Sequence, residues 1–487
     1  MDRPATTSAR TALRAGDRCT RSARARGRRR GRRRRVRACG RAGRHGRGSR
    51  PSRRTARARN PCRCARARCP RWLNPGVTEQ PPRPPRPLES SAEPALAAWL
   101  RDETLALASL PSPSGTEGAV AERASALART LGLEARPLRA GDGTLAALVV
   151  TPPGARGDTF DLVLCAHLDT VAPPPERVGP PLADDRWPAR PYAGGGWVAG
   201  LGTLDDKGGA VCALAALALA AGARAGRGEG DRRAGDHGQG ATPATAVVLT
   251  CDEEEGGSGS AAVAESLRLE RAVVIEPTGL AVAAASAGAL EAEVEFAGLA
   301  AHGSLPEAGD NAAERAARFV ADLAKLPLAA AQHPLLGRAR ASCLEIKGGW
   351  RSLYTIPDRA RVRVEVRLVP GCSGERAEAE LRLAAARRGG RVEVLDRSDP
   401  WSCEGCELAR ALEQALARAG VEPRRTGMPS WTDGHNLVAG GCREVVVFGP
   451  GDLALAHTPT ERVELRELVL ATRALAELVR DVSLRGT

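Results

Sequence analysis

From about Leu88 onward the chain alternates apolar and polar residues with periods that predict regular structure. Helical spacing of apolar positions covers 92–109 and 115–131. Short apolar runs follow: AALVVT (146–151), DLVLCAH (161–167), TAVVLTC (245–251) and RAVVIEP (271–277), with a helix over 207–221. Continuous Val, Leu and Ile runs separated by helices predict a doubly wound α/β domain whose mostly parallel sheet is covered on both faces. The stretch 222–244, rich in Gly and charge, carries no core pattern and reads as a surface loop.

The pattern changes after about residue 285. ALEAEVEFAG (289–298) alternates apolar and polar, as a half-exposed strand does. A helix over 309–326, strands at 341–349 and 360–371, a helix over 374–388 and a strand at 390–396 come next. That order, β-α-β-β-α-β, predicts an inserted ferredoxin-like α+β domain. Beyond 398 the first style returns with a helix at 407–419, EVVVFGP (444–450) and a long final helix. The expected division is a leader (1–88), a first α/β segment (89–285), the insertion (286–397) and a second α/β segment (398–487).

Charge changes the picture only at the front of the chain. Residues 1–76 hold 27 arginines against Asp2 and Asp17, a net +25, so a chain totalling +15 carries −10 in its remainder. The leader has too few apolar residues to offset chain entropy and is read as disordered. Such a run suits polyanion or nucleic-acid binding, and its composition also matches a transit peptide. Only Lys207, Lys325 and Lys347 are lysines, which points to a GC-rich gene, and such DNA encodes Arg, Ala, Gly and Pro in almost any frame. The stronger expectation is therefore an upstream translation, with the working start near Val77. No apolar segment follows the arginines as a secretory signal requires, and ALAALALAAGA (213–223) is about half a membrane span. Cys165, Cys251 and Cys343 sit inside apolar strands, which fits buried free thiols in a reducing, cytoplasmic setting. CEGC (403–406) has the spacing of half a zinc ribbon but lacks a second pair, so no metal is expected there.

Candidate chemistry gathers at strand ends, where doubly wound sheets place ligands. His167 and Asp169 in HLDTV, the acids of DEEEG (252–256), Glu276 in EPT and His457 in AHTPTE each follow an apolar run, and Asp205 and Asp206 precede a helix. Two imidazoles and three carboxylates without a thiolate suit two Zn²⁺ or similar ions. One carboxylate can bridge such a pair, whose separation is about 3.5–4 Å, and a spare carboxylate near the attacking water serves as general base.

In these motifs, from about residue 95 to the C-terminus, the chain resembles the family of acetylornithine deacetylases, succinyl-diaminopimelate desuccinylases and related dinuclear zinc aminoacylases and peptidases. The resemblance implies two Zn²⁺ per chain, with Co²⁺ as a substitute, on His167, Asp205, Glu254, Glu276 and His457. It makes Asp205 the bridging carboxylate, Asp169 the acid that orients His167, and Glu253 the general base. Glu255, the third acid in the run, leaves this register open to a one-residue shift. Glu rather than Asp at 276 favours N-acyl amino acids as substrates. AAHGSLPEAGDNA (300–312) resembles the segment whose histidine, here His302, reaches into a partner subunit's site and holds the oxyanion, which implies a homodimer through the inserted lid domain. Arg367 in VRLVPG would grip the substrate carboxylate, and Asn311 would line the site. His435 in WTDGHNL is expected to be peripheral.

Tyr354 stands where relatives commonly have Asn, and GLG (200–202) where many have Gly-Arg-Gly, so substrate contacts differ in detail. PSWTDGHNL and FGPGDLALAHTPTE look closest to acetylornithine deacetylases. The expected activity is hydrolysis of N-acetylornithine or N-acetylcitrulline in arginine biosynthesis. Succinyl-diaminopimelate and dipeptides are the alternatives, and polyanion binding through the leader is the reading outside the enzyme class.

Overall fold

The computed structural model describes residues 93–155, 157–172, 191–225, 244–349 and 354–485; the Arg-rich leader and most of the 222–244 loop, with the readings made of them, lie outside these. The described chain opens with helices α1 (Glu93–Ala108) and α2 (Gly118–Thr130). In α1 the buried positions Leu96, Leu100, Thr104 and Leu107 fall on one stripe. A hairpin of β1 (Glu134–Arg139) and β2 (Leu145–Thr151) follows. Its turn closes where the Asp142 carboxylate accepts from the Thr144 N–H (2.9 Å) and hydroxyl (2.7 Å). Then come β3 (Leu162–His167), α3 (Lys207–Ala225), β4 (Thr245–Thr250), α4 (Ser258–Ser266), β5 (Arg271–Val274) and β6 (Val282–Ser286).

The chain next builds β7 (Gly288–Ala297), α5 (Ala312–Leu323), β8 (Arg340–Gly348), β9 (Arg359–Leu368), α6 (Gly374–Ala386) and β10 (Gly390–Ser398). It returns through β11 (Trp401–Ser402), α7 (Glu407–Arg418), β12 (Arg425–Met428), α8 (Gly434–Ala439), β13 (Glu444–Val447) and α9 (Leu465–Arg485). The main sheet has the order β1-β2-β4-β3-β5-β13-β6-β11, with β12 beside β6. Its central strands β4, β3, β5 and β13 are parallel, and β3 and β4 are buried at every position. Helices α1, α3, α7 and α9 pack on one another, while α4 packs on β2 and α8. Helix α3 is apolar all round and almost wholly buried from Lys207 to Ala220, as a helix enclosed by others must be.

Strand β2 has the same apolar composition as the parallel strands, yet it runs antiparallel to β4. Two-sided burial fixes the composition whichever way the strand runs.

The second sheet, β8-β9-β7-β10, is antiparallel throughout. Numbered along the chain this is 2-3-1-4, the ferredoxin-like arrangement. Burial alternates along β7, and α5 lays Ala312, Ala316, Phe319 and Leu323 against the sheet side. Phe296 and Phe319 meet at 5.5 Å inside a separate apolar cluster. The two sheets join where Ser286 pairs with Trp401 on one side of the junction and Ala289 pairs with Ser398 on the other.

Six cysteines among the described residues, Cys165, Cys212, Cys251, Cys343, Cys372 and Cys442, are free, as a reducing setting predicts. Cys403 and Cys406 instead form a disulfide. The two-residue spacing in a loop that opens α7 brings their Cα atoms to 5.2 Å, inside the range a disulfide needs.

Gly259, near the start of α4, lies against backbone: a Cβ there would stand 2.1 Å from the Cys251 carbonyl oxygen and 2.6 Å from that of Ala146. Replacing a helical glycine by alanine ordinarily gains about 0.5–1 kcal/mol. Gly259→Ala is expected to lose about 1–3 kcal/mol instead, because both neighbours are backbone atoms and the Ala146 carbonyl is held by the Cys251 N–H at 3.0 Å. Urea unfolding checks the sign.

Candidate metal centre

The parallel strands end on a common rim, and the site is assembled there. His167 is the last residue of β3, Glu253 and Glu254 follow β4, and Glu276 follows β5. His457 lies beyond β13 in a left-handed backbone conformation, φ 59°. Asp205 sits two residues before α3, where the positive end of the helix dipole favours an anion.

Asp205 is the centre of the arrangement. One carboxylate oxygen, Oδ1, lies 3.0 Å from His167 Nε2, and the other, Oδ2, lies 3.3 Å from His457 Nε2. Glu254 Oε2 approaches the same His457 nitrogen at 2.9 Å. Ligand atoms of His167, Asp205 and Glu254 fall within 4.8 Å of one another, as do those of His167, Glu253 and Glu276. Both groups fit a divalent cation: each offers an imidazole nitrogen and carboxylate oxygens.

Asp169 holds the geometry from behind. It is fully buried and accepts hydrogen bonds from the Glu253 N–H (3.1 Å), the Glu254 N–H (3.0 Å) and the Ser114 hydroxyl (2.7 Å). Its Oδ1 lies 3.5 Å from His167 Nδ1, whose closest acceptor is the Asp169 carbonyl at 3.1 Å. One side chain thus ties the end of β3 to the loop after β4.

The electrostatics follow from crowding. Burial raises the carboxyl pKa of Glu253 and of Glu276 well above the usual range, and neighbouring carboxylates, Asp433 and Glu254 for the first, Asp205 and Glu253 for the second, reinforce it. Burial opposes charge on Asp169 too, but its hydrogen bonds bring that carboxyl down to about 2. His457, bonded to Asp205 and Glu254, is pushed up to about 10. His167 also rises: burial works against its charge, but Asp169 and Asp205 outweigh burial.

The remaining expected residues lie apart from this cluster. His302 is exposed on a short strand paired with Thr355–Ile356, and its Nδ1 accepts from the Ser304 N–H (3.1 Å). Arg367 lies half-buried on β9 and pairs with Glu365 (2.5 Å). Asn311 caps α5, its Oδ1 accepting from the N–H groups of Ala313 (3.0 Å) and Glu314 (3.3 Å). Glu255 is exposed and lines the cleft beside Glu253 and Glu254.

Several further buried groups surround the centre. Asp206 is 1 % exposed with neither carboxylate oxygen in hydrogen-bonding geometry. Asp433, at the start of α8, accepts from the Thr250 hydroxyl (2.5 Å). Lys207 is buried against the Leu110 carbonyl (2.9 Å), and burial lowers it to about 8. Burial raises Glu461 to about 7. His435 is not peripheral: it is buried, stacks on Trp431 with ring centres 5.7 Å apart, and meets the Ala287 carbonyl through Nε2 (3.0 Å). A cleft of about 710 Å³ runs from Glu253 and Glu254 past Trp431 and His435 to Arg397 of β10 and Asp399 just beyond it.

The two-sheet fold is shared with solved peptidase structures, and the sequence matches a known family. A family model described as Peptidase family M20/M25/M40 matches residues 233–481, and the chain belongs to that family. It is 31% identical over 257 residues to an acetylornithine deacetylase of Myxococcus xanthus, a match spanning 48% of this chain and 63% of that protein. A putative LysW-lysine/LysW-ornithine hydrolase of Pyrobaculum aerophilum is 27% identical over 321 residues, 66% of this chain and 82% of the relative. Among solved structures, the fold is similar to that of the aminopeptidase PepT from Bacillus cereus, with a TM-score of 0.62, 19% identity, and 79% and 98% of the two chains covered. An M20 metallo-carboxypeptidase from Sulfolobus solfataricus gives 0.59 at 15% identity, covering 81% and 100%. No helix among the described residues is long and apolar enough to cross a membrane.

The pKa shifts give a signed expectation for the cation-free protein. His457, raised to about 10, and Glu461, raised to about 7, hold protons in the folded state that the unfolded chain has released. Stability is therefore lost as pH rises through these values. Lys207, lowered to about 8, works in the opposite sense only above that pH. Between about pH 7 and pH 8 the Tm of cation-free protein should fall, and saturating Zn²⁺ or Co²⁺ should flatten the fall. A Tm that rises over this interval without cations contradicts the reading.

Proposed function

We propose that the protein is a dinuclear metal-dependent hydrolase that cleaves the amide bond of N-acyl amino acids, with N-acetylornithine or N-acetylcitrulline as substrate. The observation that carries this reading is Asp205, one oxygen directed at each imidazole, with Glu253 at the same rim. His167, Asp205 and Glu276 would hold one Zn²⁺, and Asp205, Glu254 and His457 the other. When bound, the pair would polarise the amide carbonyl and acidify a water.

The chain's own residues do the rest. Glu253, whose carboxyl is raised towards neutrality by burial and neighbours, takes a proton from the attacking water and returns it to the leaving amine. Asp169 keeps His167 in place and fixes the backbone of Glu253 and Glu254. The cleft beside Glu253 has room for an acylated amino acid. Arg367 would bind the substrate carboxylate by exchanging Glu365 for it, and Asn311 would stand beside it. The exposed position of His302 suits a group that completes the oxyanion site of a second copy in a homodimer. The resemblance to the Myxococcus acetylornithine deacetylase supports the choice of substrate, and that choice places the protein in the cytoplasm, in arginine biosynthesis.

Two measurements test this. Protein loaded with Zn²⁺ or Co²⁺ is assayed against N-acetylornithine, N-acetylcitrulline, N-succinyl-diaminopimelate and dipeptides, beside Glu253→Gln. The variant should keep its metals and lose about 10²–10⁴ in kcat. Turnover of dipeptides alone would replace deacetylation by a peptidase activity. After dialysis, metal analysis should find both ions missing from Asp205→Ala but only one missing from His457→Ala, because Asp205 places one oxygen 3.0 Å from His167 and the other 3.3 Å from His457. Equal loss in the two variants would remove the bridging role.

A further inference from the structure

The disulfide lies away from the metal centre, at a contact between the inserted domain and the main sheet. Its loop hangs from β11, where the Cys403 N–H donates to the Ala284 carbonyl (2.7 Å). Glu404, inside the loop, meets His333 Nε2 at 2.7 Å. His333 is 8% exposed and belongs to the inserted domain, in a small hairpin between α5 and β8. Its Nδ1 accepts from the Leu335 N–H (3.3 Å), which leaves Nε2 as the donor to Glu404. The Glu404 carbonyl accepts from Arg425 (2.5 Å), which also binds Glu413 of α7. Leu335 and Leu336 press on Gly427 of β12, leaving no room for a side chain. The CEGC loop is thus one jaw of a contact that holds residues 332–338 to the main sheet.

We infer that Cys403–Cys406 is a thiol–disulfide exchange site whose redox state sets how firmly the inserted domain is held. Cys406 is the half-exposed sulfur, and Cys403 is buried. A thiolate of a dithiol reductant attacks Cys406 Sγ, breaks the S–S bond and releases Cys403 as a thiolate. The second thiol of the reductant then closes on the mixed disulfide and releases Cys406. Two electrons and two protons pass to the protein, and the reductant leaves as a cyclic disulfide. The departing Cys406 is the N-cap of α7, where its sulfur accepts from the Ala409 N–H (3.4 Å) and the helix dipole favours a thiolate. Reduction removes the cross-link that shapes the two-residue loop, and Glu404 loses its fixed approach to His333.

The test uses the full chain and does not depend on its activity. Native protein is treated with dithiothreitol and alkylated, and hydrogen exchange of 332–338 is followed by mass spectrometry. The 403–406 peptide should take up two alkyl groups without denaturant. Exchange in 332–338 should quicken roughly two- to tenfold, the loss expected for one hydrogen bond. Glu404→Ala should show the faster rate already when oxidised and respond no further to reductant. Reduction only after denaturation, or identical exchange in both redox states, would overturn the inference.

Discussion

Like charges forced together out of water are the constraint on which this structure turns. Asp205, Glu253, Glu254 and Glu276 converge around the buried His167, with Asp206 buried next to Asp205 and His457 against Asp205 and Glu254. Isolated carboxylates in such a setting protonate or separate unless a cation joins them. The fold prevents separation. Four parallel strands and the start of α3 deliver the groups to one rim, and Asp169 pins two of the loops together. A scaffold that holds acids against their own repulsion is well matched to divalent cations, whose charge turns the repulsion into attraction.

The cleft beside the centre links this chemistry to the inserted domain. His435 and Trp431 form part of its wall, and His435 also bonds the carbonyl of Ala287, the residue between β6 and β7. Burial lowers the pKa of His435, so the ring that braces this connection is neutral and its hydrogen bond is insensitive to acid near neutrality. The wall of the cleft and the root of the inserted domain therefore share a side chain.

Much of this was legible in the chain itself. His167, Glu276 and the acids after β4 stand out because each follows a run too apolar to be anything but a buried strand, and strand ends are where such sheets place function. The alternation in 289–298 announced the second sheet because one face of it is wet. The direction of β2 was not readable, since burial on both sides erases any difference between parallel and antiparallel strands. Asp433 of WTDGHNL and Glu461 of AHTPTE stand in motifs that draw notice for other residues, and only the folded chain shows both of them buried. Asn311 shows the ambiguity of a single polar residue: a helix cap and a site residue have the same composition. The Cys403–Cys406 pair was hidden because the same spacing serves metal, redox and plain thiols alike.

The junction of the two sheets carries an evolutionary consequence. The chain leaves the main sheet beside the point where it returns, with Ser286 opposite Trp401 and Ala289 opposite Ser398. Cross-strand neighbours are only about 5 Å apart, so removing everything between them leaves two ends that a short turn can join. The ferredoxin-like unit is in this sense a cassette, plugged into a continuous host sheet whose metal rim is built entirely from host residues. Recognition surfaces can then be exchanged or reshaped in the cassette while the hydrolytic rim keeps its geometry.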